Sequence, residues 1–181
     1  DEEIGTVRAE EMTNVVSDLA EKYPNKRLIA HYIQPHYPFV PSDTEFDKQH
    51  LSQTDQNDTT TNVWGKKWMG LIDIDRDELW DMYTENLYYV LQSVKILLQN
   101  LSGKTVITSD HGNYVGERAK PIPIIEYGHP RGLYDKHITR VPWFECDYQE
   151  RREIYTGERD KSNKSDDIEK ISNRLEDLGY V

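Results

Sequence analysis

Apolar residues recur at helical spacing between Val7 and Tyr23, at Met12, Val15, Val16, Leu19 and Tyr23, and Pro24 ends the pattern. This spacing predicts a first amphipathic helix. Leu28 to Ile33 follows as a short apolar run bounded by Lys26, Arg27 and Pro35, the pattern of a buried strand. From Pro35 to about Ile74 the chain turns to Asp, Thr, Gln and Asn, with Trp64 and Trp68 as its few large anchors. Such a stretch predicts a loop insertion over about residues 35–75, and long loops in compact domains tend to be functional or mobile.

Asp75 with Glu78 then offers a capping box, after which Leu79, Tyr83, Leu87, Val90, Leu91, Val94, Leu98 and Leu101 repeat every three or four residues until Gly103. A strand signal follows at once in Thr105-Val106-Ile107-Thr108, so the stripe is expected to pack on a sheet rather than in a coiled coil. Val141 to Phe144 gives another short strand, and Asp166 with Glu169 opens a last helix over about residues 166–178. That helix carries Ile168, Ile171, Leu175 and Leu178 ahead of Gly179. Helices alternating with strands predict an α/β fold.

At 181 residues the chain has the length of one domain, and 36% hydrophobic with 30% charged residues is a composition that folds. There are 33 acidic against 22 basic residues, a net charge of -11, which argues against a broad basic face for nucleic acid. An anionic ligand would therefore need a local cation. Acidity of this degree suits work in high salt, and ordinary solubility explains it equally well. Cys146 is the only cysteine, which excludes an internal disulfide and a thiolate metal cluster. No stretch reaches the ~20 apolar residues of a membrane span, and Asp1-Glu2-Glu3 is acidic where a signal peptide is basic. A soluble chain is expected, with the cytoplasm favoured; the sequons at Asn57, Asn100 and Asn163 are of a kind that arises often by chance.

Open α/β sheets gather ligands beyond the carboxyl ends of their strands. Two clusters hold that position: Gln34-Pro35-His36-Tyr37-Pro38-Phe39 after the first strand, and Ser109-Asp110-His111-Gly112-Asn113 after the second. An adjacent Asp and His can reach one divalent cation, with Gly112 letting the backbone turn away. The commoner use of such an Asp is to cap a turn, and both uses stay open at this point.

The run TVITSDHGN, followed by GHPRGLYDKHITRVPWF and preceded by HYIQPHYPF, resembles the alkaline phosphatase superfamily, in particular its sulfatase branch and phosphonate monoesterase relatives. The resemblance spans roughly Arg27 to Phe144, and the Arg174 to Tyr180 tail is similar to the end of such proteins. It implies a partial α/β/α sandwich around a mostly parallel sheet, with the amino-terminal half of that fold missing and residues 1–181 forming a single partial hydrolase domain. It also implies that Asp110 and His111 are metal ligands, and that His36 and His129 are catalytic. His36 would contact the substrate oxyanion, with Arg131 close by as a further substrate-binding residue. The implied cofactor is calcium, magnesium or manganese, with zinc as the alternative, and the implied substrate is a small-molecule or saccharide sulfate or phosphate ester.

The family's nucleophile, a formylglycine or an unmodified Ser or Thr, lies near the amino terminus beside paired aspartates, and this sequence has no counterpart. Cys146 sits in Phe-Glu-Cys-Asp-Tyr without the Pro and Arg of a formylglycine site. The expected function is therefore metal-dependent hydrolysis of sulfate or phosphate monoesters, with this chain supplying metal and substrate contacts but not the nucleophile. A non-catalytic scaffold, and a two-zinc phosphatase or phosphodiesterase, are the alternatives. His31 lies inside the expected strand, His50 and His137 match no motif, and all three are read as structural.

Overall fold

The structure is a computed structural model that describes residues 4–47 and 62–156. Its elements run α1 (Ala9–Lys22), α2 (Val63–Trp68), α3 (Arg76–Asn100), β1 (Val106–Thr108), β2 (Tyr114–Arg118), β3 (Ile125–Gly128), α4 (Lys136–Thr139) and β4 (Trp143–Glu145). Helix α1 forms where the apolar spacing predicts it, with Glu10 and Glu11 in its first turn and Lys22 in its last, in keeping with the helix dipole. Helix α3 opens on Asp75, whose carboxylate accepts a hydrogen bond from the Glu78 amide at 2.7 Å.

The two helices pack together, but not along the leucine row that the sequence suggests. The buried residues of α3 are Leu79, Met82, Asn86, Val90, Ser93 and Leu97, while Leu87 and Leu91 lie towards solvent. Two polar residues, Asn86 and Ser93, hold places on the buried face. The Asn86 side-chain amide is hydrogen-bonded there to a loop described below, and at Ser93 the backbone carbonyl accepts from the Thr13 hydroxyl of α1 at 3.3 Å.

The described parts of the polar stretch after Ile33 contribute to the core. Tyr37, Phe39, Val63, Trp64 and Ile74 come together with Leu79, Met82 and Val115 in one buried cluster. Asp47 ties the first part down: its carboxylate accepts from the Phe39 amide at 2.5 Å and from the Thr44 hydroxyl at 2.8 Å. Trp64 enters on the short helix α2, which Asn62 caps through the Gly65 amide at 2.9 Å.

Among the described residues the strands form two separate antiparallel pairs, β1 with β4 and β2 with β3. This overturns the expected partial α/β/α sandwich around a mostly parallel sheet. The Leu28–Ile33 segment is not a strand, and the backbone of Leu28 to Tyr32 has no hydrogen-bonded partner among the described residues. An apolar run between turn signals satisfies the local preference for extended backbone, but a sheet also needs a ladder partner at the right place. Ile29, 95% exposed, shows that this run is not buried in the way its composition suggests. Strand β1 pairs instead with β4, Val106 opposite Glu145 and Thr108 opposite Trp143, a pairing in which both strands run in opposite senses.

The predicted helix over about residues 166–178 lies outside the described residues, as does part of the loop insertion at about 35–75. Among the described residues no helix is long and apolar enough to cross a membrane.

Candidate active site

Three chain segments deliver the polar residues singled out in the sequence, two held by hydrogen bonds and one by close packing. The segment that carries His36 is fixed by the Asn86 amide, which is fully buried on α3. Its nitrogen donates to the carbonyls of Pro35, His36 and Pro38 at 3.2, 2.9 and 3.2 Å, and its oxygen accepts from the Val40 amide at 3.1 Å. Asp110 and His111 follow the carboxyl end of β1, where the Gly112 amide donates to the Ile138 carbonyl at 2.7 Å. A Cβ on Gly112 would stand 1.9 Å from the His137 carbonyl oxygen, so only glycine allows this approach. His129 follows β3 directly. The residue before it, Gly128, has φ of 76° and lies against the Trp64 indole.

These segments converge. The His111 and His129 rings lie 4.4 Å apart between centroids, and the His129 and His36 rings 6.2 Å apart. Oδ2 of Asp110 lies 3.8 Å from Nε2 of His111 and 3.9 Å from Nε2 of His31. Pairwise, these contacts link His31, Asp110, His111, His129 and His36 one after another. Arg131 sits two residues beyond His129 and is exposed.

Asp110 divides its two oxygens between both uses that its sequence context allows. Oδ1 accepts from the His111 amide at 2.9 Å, which caps the turn, while Oδ2 faces the imidazoles. His111 has a fixed tautomer: its Nδ1 lies 2.8 Å from the Gly112 carbonyl, which can only accept, so Nδ1 carries the proton. In the neutral ring Nε2 then presents a lone pair towards Asp110. Two electron-rich atoms facing each other at 3.8 Å are too far apart for a hydrogen bond, and closer than two metal–ligand bonds of about 2.1 Å laid end to end. The donor chemistry of this pair fits a divalent cation. Among the described residues no three His, Cys, Asp or Glu side chains converge on one point as a finished metal set.

His36 has the same tautomer for the same reason, its Nδ1 donating to the Tyr37 carbonyl at 2.5 Å. Burial first, and then the neighbouring His111, hold His129 below the ordinary histidine pKa, so its neutral form is favoured. Tyr83 on α3 is pushed up to about 12, by burial first and then by the charge of Asp110. Cys146 is unsuited to nucleophilic work: burial and then the charge of Asp147 push its thiol up, away from the reactive thiolate.

Sequence reasoning missed Asn86, Tyr83 and His31. Asn86 left one signal, a polar residue at helical spacing between the apolar Met82 and Val90. In the sequence Tyr83 shows only as part of the apolar stripe, and His31 reads as a residue inside the expected Leu28–Ile33 strand, which does not form. Comparison of the chain with protein-family models, with curated proteins and with solved structures gives no match.

Proposed function

We infer that this chain carries the metal-binding and substrate-binding residues of a metal-dependent hydrolase of sulfate or phosphate monoesters. One observation supports this above the others: three motifs distant in sequence bring His36, Asp110, His111 and His129 into one chain of contacts. Asp110 and His111 would hold the cation. When bound, such an ion supplies charge neutralisation and Lewis acidity at an ester oxygen, for a small-molecule or saccharide ester in a chain whose net charge is -11.

The remaining work falls to the imidazoles. His36, with its proton fixed on Nδ1, presents Nε2 as a proton acceptor, and when protonated presents it as a donor to an anionic oxygen. His129 lies beside it, partly withdrawn from water, where a hydrogen bond to a charged oxygen is stronger than in bulk solvent. Proton transfer by a positioned imidazole typically contributes ~100-fold to 10,000-fold to such a reaction. The nucleophile is assigned to none of these residues.

The test is calorimetric binding of inorganic sulfate and inorganic phosphate to this chain, which has no assigned nucleophile and is not expected to turn an ester over alone. Binding is expected only with added Ca2+, Mg2+, Mn2+ or Zn2+, and Asp110→Ala should abolish it. Metal-independent binding, or binding retained in the Asp110 variant, would refute the assignment.

A further inference from the structure

We propose that the cavity between α2 and the end of β3 is the subsite for the alcohol part of the ester, and that it takes a small uncharged aromatic ring rather than a saccharide. This rests on the reading of His36 and His129 as contacts to the oxyanion. The cavity has a volume of about 340 Å³. Trp64, Trp68 and Met69 line it from the α2 side, and Tyr127, His129 and Pro130 from the β3 side.

Both walls are built on the core. The Trp64 ring meets those of Tyr37, Phe39 and Tyr83 edge to face, with centroids 6.3, 6.1 and 5.9 Å away. Gly128, the residue before His129, lies so close to the Trp64 side chain that a Cβ there would stand 2.9 Å from it, which lets β3 close up on α2. Trp68 follows Trp64 by one helical turn and is 56% exposed, and Met69 beside it is 46% exposed. Two large apolar side chains thus stay open to water on the lining of a concave space, and covering them with apolar surface is favourable.

The chemistry of the lining selects the ring. Helix α2 carries two cations, but Lys66 Nζ donates to the Phe46 carbonyl at 3.2 Å and Lys67 Nζ to the Ile74 carbonyl, and neither lines the cavity. Asn62 supplies a side-chain amide to the lining, and its oxygen is already taken by the Gly65 amide at 2.9 Å. A saccharide would bring several hydroxyl groups to a wall that cannot match them with hydrogen bonds. An aromatic ring needs no such partners and gains from stacking on an indole. His129 belongs both to the cavity and to the imidazole contacts, its ring 4.4 Å from that of His111 and 6.2 Å from that of His36. A ring seated in the cavity therefore brings its ester group to His129.

Ligands that separate the ring from the oxyanion test this. Calorimetry with Mg2+, Mn2+ or Zn2+ present compares phenylphosphonate with methylphosphonate, and saturation-transfer NMR without metal compares phenol with glucose. The chain is tested as wild type, Trp68→Ala and Trp68→Phe, with circular dichroism confirming that each variant folds. Phenylphosphonate should bind about tenfold or more tightly than methylphosphonate, the scale expected for burying one ring. Trp68→Ala should remove that advantage and leave methylphosphonate unchanged, while Trp68→Phe should keep most of it. Phenol should bind and be displaced by phenylphosphonate, and glucose should not bind. Equal affinity for the two phosphonates, a phenyl advantage that survives Trp68→Ala, or glucose bound as well as phenol overturns the ring subsite, while metal-dependent methylphosphonate binding still supports the oxyanion reading. Phenol bound by the wild type and not by Trp68→Ala, with neither phosphonate bound, overturns the oxyanion reading and with it the role of the cavity beside an ester. A wild type that binds neither phenol nor the phosphonates overturns both.

Discussion

Asn86, buried in the middle of α3, donates its side-chain amide to the backbone carbonyl of His36 at 2.9 Å. A helix thus sets the position of a loop imidazole through one neutral side chain. The same amide group also meets the carbonyls of Pro35 and Pro38, and its oxygen takes the amide of Val40. The loop's own side chains contribute the apolar half of the attachment, through the buried Tyr37 and Phe39.

Asn86→Leu keeps the volume and removes every one of these bonds, leaving buried backbone groups without partners. A stability loss of about 3 kcal/mol is expected, measured by denaturant unfolding. Loss of oxyanion binding should accompany it, since the loop that carries His36 is released. Unchanged stability would show that the loop is held by Tyr37 and Phe39 alone.

Two glycines of similar backbone conformation make a controlled pair. Gly128 has φ of 76° and a Cβ there would stand 2.9 Å from the Trp64 side chain, whereas Gly70 has φ of 69° and nothing within 4 Å. Gly70→Ala should cost only the conformational strain of about 1–2 kcal/mol. Gly128→Ala should cost distinctly more, change the Trp64 fluorescence, and displace His129. Equal costs in thermal unfolding would mean that the indole gives way freely.

Gly112→Ala meets the backbone itself, at the His137 carbonyl oxygen 1.9 Å away. The variant must move the turn and lose the bond from the Gly112 amide to Ile138. Mn2+ affinity should therefore fall with stability in Gly112→Ala, while Asp110→Asn, which keeps a turn-capping oxygen but loses charge, should lose the metal with little change in unfolding midpoint.

The ribbon of β1 and β4 should be sensitive to acid. Glu145 is held below the usual carboxylate range, by Lys104 first, at 2.5 Å, and then by the Trp143 indole N–H, at 3.2 Å. A carboxyl whose folded pKa lies below its unfolded value contributes stability that is present above the unfolded value of about 4.3 and is lost as pH falls through the folded one. Trp143 fluorescence should report the ribbon loosening over that range, and Glu145→Gln should flatten the response. A profile identical in both proteins would remove Glu145 from the account.

Local signals carried the helices well. The spacing around α1 and the Asp75 cap of α3 depend only on neighbours in sequence, and both appear in the structure. The strands show the limit: Thr105 to Thr108 extends as its β-branched residues prefer, but its pairing with β4 some 35 residues on is a property of the whole chain. Leu28–Ile33 is also an apolar run, and among the described residues it has no ladder. At the candidate site the convergence of His36, Asp110, His111 and His129 follows motifs that could be read directly. His31 and Asn86 could not, because their meaning lies in what stands opposite them in space: a carboxylate oxygen in one case and three carbonyls in the other.

Among the described residues the run from Leu28 to Ile33 has no ladder partner, which has a consequence for how the protein behaves in concentrated solution. Backbone amides without ladder partners, beside an apolar side chain as open as Ile29, can template pairing between molecules and seed aggregates. The chain hems in this stretch with two cations, Lys26 and Arg27, before it and with Pro35 after it, residue types that repel or block an incoming strand. The molecule thus keeps an adhesive edge in check with charge and a missing amide proton.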